Sequence, residues 1–461
     1  MAQWNKNTQA FGPNNSSLFE TMTLGDNFGA ISDWRPNFTS KNRLKVSNPQ
    51  TIFWSTWGRD TENDTFASQT IGTGVEYISN DAADPTTFDA YNPGSNIITE
   101  KAIVLRVSSA GDKVIRQSTR VIPYIPGKEQ FLTMAVRFDT PSAGIRRRIG
   151  LFDEKNGVFF EDGGDNYYCC IRKNGVETVR VPREQWNGDK LNGTGRSKII
   201  ADPTKQQLIG IEYEWYGTGK VTFGYTIDGE HHVIHTIYNA NKTVGTWTKT
   251  PYLPIRFELE ALPGYAGGDA YMHQASTSVI AEGGVESLGV VHNYVNNLDF
   301  TVNPPEVDAG NINITAANTF YPLISIRIND LFLDSFAAPV KVQVATADNT
   351  DLYYVVVKNA TLTAANFVLP VNEARAVEVD ESATAIDFDL GNVLFSGFSF
   401  GGNSTPIDLP TTSAQFQLGR KFTNPGSPDF TSLTSDVITI AVAAKGSNKT
   451  AIGSLTWIEQ P

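Results

Sequence analysis

The sequence predicts an all-β protein: an antiparallel β-sandwich, a second and smaller β-sandwich after it, and an extended arm at the N-terminus. Three observations carry this. Short runs of β-branched and aromatic residues recur through residues 49–303 and again through 304–461. Turn dipeptides stand between many of them: Asn156-Gly157, Asp162-Gly163, Asn174-Gly175 and Asp228-Gly229. Such pairs accept the positive φ of tight hairpins. No window of about twelve residues shows amphipathic helical spacing, so the helices needed for parallel crossovers are missing.

Residues 1–48 are polar, rich in Asn, Thr, Ser and Gly, and spaced with single aromatics at Trp4, Phe11, Phe19, Phe28, Trp34 and Phe38. They follow neither period 2 nor 3.6, which predicts an arm that docks on a neighbour through its aromatics. The large domain, 49–303, predicts strands at 103–107, 131–138, 169–172, 207–215, 220–227, 233–238 and 255–259. At Asn303-Pro304-Pro305 the texture changes; tryptophan recurs only at Trp457, and Val, Ala, Thr and Asn dominate. Runs at 323–328, 340–345, 352–357 and 437–443 predict the smaller sandwich, 304–461, behind a stiff Pro-Pro junction.

The chain has 461 residues, 40% of them hydrophobic, and a net charge of -12. Such acidity disfavours nucleic acid, whose binding rests on Lys and Arg displacing counterions. The two cysteines, Cys169 and Cys170, are adjacent. Strand neighbours point to opposite faces, so the pair predicts neither a mutual disulfide nor a zinc site. A basic leader and a run of about 18 apolar residues are both missing from the sequence, which predicts no export signal and no membrane partner.

Candidate chemistry is sparse. His231, His232 and His235 include an HxxxH spacing, but Asp228-Gly229 and the β-branched neighbours predict a strand. Residues four apart on a strand stand roughly 13 Å from one another, too far for one metal. Asp153, Glu154, Glu161, Asp162 and Asp165 gather at two turns; a structural calcium ion there has no EF-hand spacing behind it, and no cofactor is predicted. Glu212 and Glu214 beside Trp215 invite a glycosidase reading, but two glutamates on one strand do not fix the separation such chemistry needs. Nucleotide-binding glycine motifs and a GxSxG elbow are missing. These patterns predict a protein that is not an enzyme. Trp215 and Tyr216 are the candidate glycan contacts among aromatics that otherwise suit core packing. Trp4, Phe11 and Phe19 of the arm, with the basic triplet Arg146, Arg147 and Arg148, are the candidate assembly contacts.

Several blocks occur in one order: Gln117-Ser118 followed by YIPGKEQ, RRIGLFDEKNGVFFE at 147–161, Ile171-Arg172, QWNGD at 185–189, IEYEWYGTGKVTFGY at 211–225 and LPIRFELE at 253–260. PLISIRI at 322–328 and GSLTWIEQP at 453–461 follow. Together they resemble virion structural proteins of tailed bacteriophages, especially large marine and cyanobacterial phages; Cys169-Cys170 departs from the pattern. The resemblance implies a structural role on the virion, with assembly in the cytoplasm of the infected bacterium, and does not fix the location. Two β domains, a docking-prone arm and no convergent catalytic group predict a multi-copy component, with a tail, baseplate or fibre position ahead of capsid decoration or a head fibre. The resemblance also implies other virion proteins as partners, and symmetry favours a homo-oligomer, a trimer or higher. A glycan-binding adhesin built on a jelly-roll or lectin-like sandwich, contacting host surface glycan, is the alternative.

Overall fold

The computed structural model describes residues 49–56, 65–79, most of 102–281 and most of 289–460; among these the regular elements are strands and two single 3-10 turns. In the large body they are β1 (Gln50–Thr56), β2 (Phe66–Ile71), β3 (Val75–Ser79), β4 (Ala102–Val107), β5 (Lys113–Ser118), β6 (Gln130–Arg137) and β7 (Ile145–Phe152). Then come β8 (Gly157–Asp162), β9 (Tyr167–Lys173), β10 (Val176–Pro182), β11 (Gln207–Tyr213), β12 (Lys220–Ile227), β13 (Glu230–Tyr238), β14 (Ile255–Ala261) and β15 (Ala270–Ala281).

They pair into two antiparallel sheets. One has eight strands in the order β13-β12-β11-β6-β15-β4-β3, with β1 added along β15; the other has seven, β10-β9-β8-β7-β14-β5-β2. The period of 2 does the sorting. On β6, Leu132, Met134 and Val136 are buried while Phe131, Thr133 and Ala135 turn outward; on β8, Val158 and Phe160 face the core. Between the sheets Phe160 meets Phe138, Tyr167, Trp186 and Tyr225 with ring centroids 5.8–6.0 Å apart. Each such side chain contributes roughly 1.5–3 kcal/mol through apolar burial.

Two of the four turn dipeptides make the tight hairpins expected. Asn174 and Gly175 take φ of 52° and 79° between β9 and β10, and Asp228 and Gly229 take 53° and 82° between β12 and β13. At Asn156-Gly157 the glycine instead opens β8. At Asp162-Gly163 the positive φ falls one residue later, on Gly164.

The second body is also a two-sheet structure. One sheet aligns Val290–Val295, Lys449–Gln460, Phe336–Ala345 and Ile407–Asp408, with Ile312–Ile314 also on Lys449–Gln460. The other runs Val377–Asp380, Tyr321–Ile328, Val437–Ala444, Leu352–Lys358 and Asn392–Ser399. Trp457, fully buried, sits in its core with Leu323, Ile440 and Val356. The domain border expected at 303/304 is corrected here: Val290–Val295 pairs with residues 454–459 and so belongs to the second sheet system. Composition changes at the prolines, but strand pairing had already changed partners. The two bodies touch where the Arg420 amide donates to the Thr119 carbonyl and Leu433 packs on Ile115.

Candidate functional site

The β11–β12 hairpin places the predicted glycan contacts at its tip. Trp215 and Tyr216 follow β11, and the turn closes through Glu214 N donating to Lys220 O (3.2 Å) and Gly219 N to Tyr216 O (2.7 Å). The Trp215 indole N–H is already used by the Thr248 carbonyl at 2.9 Å, and its ring lies against the core. Its backbone amide donates to the Tyr124 hydroxyl at 3.2 Å, and Tyr124, Trp215 and Tyr216 form a ring group with centroids 5.4–6.2 Å apart. Within this group Tyr216 is 46% exposed, whereas Tyr124 is buried. The two residues paired by the sequence therefore separate: Trp215 is a half-buried support and Tyr216 is the presented ring.

The same end of the hairpin gathers charge on the outer face of the eight-stranded sheet. Lys220 Nζ lies 3.3 Å from Glu212 Oε2 and 3.2 Å from Glu129 Oε1, just before β6. Burial and a hydrogen bond with Glu129 push the Glu212 carboxyl up to about 7. Lys220 is raised in turn: burial opposes its charge, and the two glutamates outweigh it. Tyr238, opposite Lys220 on β13, is 58% exposed. Glu214 does not join Glu212; its carbonyl instead accepts from the Trp247 indole at 2.6 Å. Glu129 was missed because it lies 83 residues from Glu212 in the chain, and only the pairing of β6 with β11 brings it in. Two carboxyls in direct contact leave no room between them for a glycosidic oxygen and water, which need separations of roughly 5–9.5 Å.

Two arginines of the basic triplet, Arg147 and Arg148, are not surface groups, which corrects their reading as assembly contacts. The alternation of β7 sends Arg147 inward and Arg148 outward, and register supplies both with acids. Arg147 stands opposite Asp162 and donates to it at 2.7 Å, with further bonds to the Tyr271 and Thr140 carbonyls. Arg148 stands between Glu161 and Glu258 and donates to them at 2.7 and 2.6 Å. Both arginines are at most 4% exposed in their side chains. Burial works against the charge of Glu258, but Lys113, Arg148 and Arg256 overcome it and hold the carboxyl far below its usual range. Burial wins at Asp162, whose pKa is raised despite Arg147. Arg146 is partly exposed and lies 3.7 Å from Glu260. Trp4, Phe11 and Phe19 lie outside the described residues.

The histidines do separate jobs on β13. His231 rests edge-on against Phe131 at 5.2 Å, above Gly210 and Gly224; a Cβ on Gly224 would come within 2.4 Å of its Nε2. The His235 Nδ1 accepts from the Asn187 amide at 3.2 Å. The turn carboxylates are engaged: Asp153 accepts the Lys155 and Asn156 amides, Glu154 holds Arg256 at 2.7 Å, and Glu161 holds Arg148 and Arg180. Among the described residues, no group of three His, Cys, Asp or Glu is placed to hold a metal ion.

No family model and no curated protein matches this chain. Among solved structures it is similar to a legume lectin-like domain from Entamoeba histolytica (12% identity, 50% of this chain and 96% of that one, TM-score 0.29). It is also similar to the carbohydrate recognition domain of Emp47p (10%, 51% and 98%, TM-score 0.30) and to a GH16 protein of a Bacteroides ovatus mixed-linkage glucan locus (7%, 50% and 99%, TM-score 0.31). The β-sandwich assignment itself rests on the strand pairing above. Among the described residues, no helix is long and apolar enough to cross a membrane.

Proposed function

We propose that this chain is a multi-copy structural component of a tailed-bacteriophage virion, placed at the tail, baseplate or a fibre. The reading rests on the resemblance of the ordered sequence blocks to such proteins, and is supported by what those blocks build. RRIGLFDEKNGVFFE forms β7 and β8, IEYEWYGTGKVTFGY spans β11 and β12, and LPIRFELE forms β14. Their charged residues are largely consumed in one another: Arg147 with Asp162, and Arg148 with Glu161 and Glu258. Blocks that spend their polar groups on a frame suit a building part. Gold-labelled antibody on purified particles, read by electron microscopy, tests this. Label at the tail end is the expected result; label spread over the head would move the protein to capsid decoration, and absence of the protein from denatured particles would overturn the reading.

A second reading is favoured by one observation, the exposed Tyr238 ring opposite Lys220 of the Glu129–Lys220–Glu212 group, with Tyr216 presented separately at the hairpin tip. Aromatic faces stack on sugar rings, and a lysine between carboxyls offers both donors and acceptors to hydroxyls. In this reading the large sandwich docks the particle on host surface glycan without cleaving it. Tyr216→Ala is expected to release the protein from immobilised host polysaccharide while its unfolding midpoint stays put. Retention by the variant, or shortening of the polysaccharide by the parent protein, would sink the docking role.

A further inference from the structure

In the second body, the sheet built from Val377–Asp380, Tyr321–Ile328, Val437–Ala444, Leu352–Lys358 and Asn392–Ser399 ends in two unlike edges. At one end Val377–Asp380 carries Glu378 and Asp380, and its open side is covered by the antiparallel bridge of Val368 with Val379. Charge and a covering segment are the usual protections of a strand edge. At the other end Asn392–Ser399, with the sequence NVLFSGFS, has no charged residue and no proline. Among the described residues its strand neighbour is Leu352–Lys358, on one side only. Its outward N–H and C=O groups form a row of donors and acceptors suited to a further strand.

The same edge presents apolar surface. Phe398 is 59% exposed, Phe400 58%, Val393 49% and Tyr353 37%. Val393 and Phe398 are an odd number of residues apart, so strict alternation would send them to opposite faces. A register shift prevents this: Phe395 stands opposite Val356, but Val393 stands opposite Val357, and Leu394 is passed over. Val393 therefore shares a face with Phe398 and with its cross-strand partner Tyr353. The Phe398 and Phe400 rings pack on each other with centroids 4.7 Å apart, and Lys445 Nζ lies 5.8 Å from the Tyr353 centroid at the rim. Further in, Val355 and Val357 on this face are buried, so the exposed part is confined to the edge.

We propose that this edge pairs with the same strand of a second copy of the chain, antiparallel across a two-fold axis, joining the two sheets into one. Two features select a second copy. Antiparallel pairing brings the Phe398 end of each strand to the Val393 end of the other, so one surface covers itself, as an isologous contact requires. The chain also carries a net charge of -12, which sets copies against one another in general. An uncharged strand is a place where two of them can meet, and a charged partner would find no counter-charge on it. The contact goes beyond the virion reading and stands on the geometry of the strand, so it is tested apart from the particle.

The full chain is followed by sedimentation velocity from about 1 to 100 µM, with hydrogen exchange read over residues 392–400. An even-numbered assembly is expected, a dimer or a multiple of it. Phe398→Lys places a charge at an exposed position, so it is expected to keep the unfolding midpoint while raising the dissociation constant by about tenfold or more. Amides of 392–400 are expected to exchange more slowly in the parent chain than in this variant. Trp54→Lys, the same change at an exposed ring of the large body, is expected to leave association as it is. A parent chain that stays monomeric throughout the range, or forms an odd-numbered assembly, would overturn the proposal and leave the edge to a different partner. Association that Phe398→Lys does not weaken, equal weakening by Trp54→Lys, or unchanged exchange at 392–400 would each overturn it as well.

Discussion

The two outer faces of the large sandwich use charge in opposite ways. On the seven-stranded sheet, register sets Arg148 between Glu161 and Glu258, and Arg256 beside Glu154 and Glu258. The guanidiniums of Arg148, Arg172 and Arg256 lie 5.0–5.8 Å from the Phe152 and Phe159 ring centroids, so charge and apolar surface close over each other. On the eight-stranded sheet, two carboxyls meet one lysine, glycines at 210 and 224 clear room for His231, and Trp54 is left 67% exposed. One face balances its acids with arginines and becomes part of the frame. The other leaves the Glu212 site under-neutralised, so a proton completes the balance and the face stays responsive to its surroundings.

The sharpest way to break this contrast is to remove the centre of the balanced face. Arg148→Met would leave Glu161 and Glu258 buried with fewer partners, and a loss of roughly 3–5 kcal/mol in denaturant unfolding is expected. A loss under about 1 kcal/mol would mean that the face is not a structural frame. A smaller, pH-dependent effect belongs to Glu212. Its folded pKa of about 7 lies above its ordinary value of 4.5, so the folded state binds the extra proton between these limits. Stability from this group is therefore complete below pH 4.5 and lost as pH rises through 7. Glu212→Gln is expected to gain stability relative to the parent above pH 7 and to show no such gain near pH 4.5, measured as a difference profile. His273 titrates in the opposite sense, with burial and Arg137 lowering it to about 4, but it is common to both proteins and cancels. A flat difference profile would remove the proposed imbalance.

The smallest effect is expected at Gly224. An added Cβ would meet the His231 ring and also the His232 carbonyl oxygen, at 2.8 Å, so the strand as well as the ring must shift and Gly224→Ala should cost roughly 1–3 kcal/mol. Displacing the ring into solvent should raise its pKa, which burial now lowers. An NMR titration of His231 unchanged by the substitution would show that the glycine does not set the histidine's position.

Much of the frame was legible because local rules reach it. The Asn174-Gly175 and Asp228-Gly229 hairpins follow from the φ preferences of those residues. Cys169 and Cys170 divide between the central core and the outer Phe152–Phe159 group, as strand alternation requires, and both thiols are free. The same alternation applied to Arg147 and Arg148 says only that they face opposite ways. Whether either meets solvent or an acid depends on strands that arrive later in the chain. Asp162 is 15 residues from Arg147, but Glu258 is 110 residues from Arg148. Trp215 and Tyr216 likewise read as one pair, and the Thr248 carbonyl, brought from 33 residues away, makes one of them a support.

The sequence by itself determined the all-β character and the edges of many strands, because side-chain period and turn chemistry act within a few residues. It also determined that neighbouring cysteines would not bond. Tertiary structure alone decided which charges are buried, since pairing of β7 with β8 and β14 turns an exposed-looking arginine run into an internal ion-pair network. It also decided the membership of Val290–Val295, the meeting of Glu129 with Glu212, and the enclosure of the Tyr167 hydroxyl. Each of these depends on sheet register, which is fixed by long-range pairing, and a one-residue slip would send every one of these side chains to the other face.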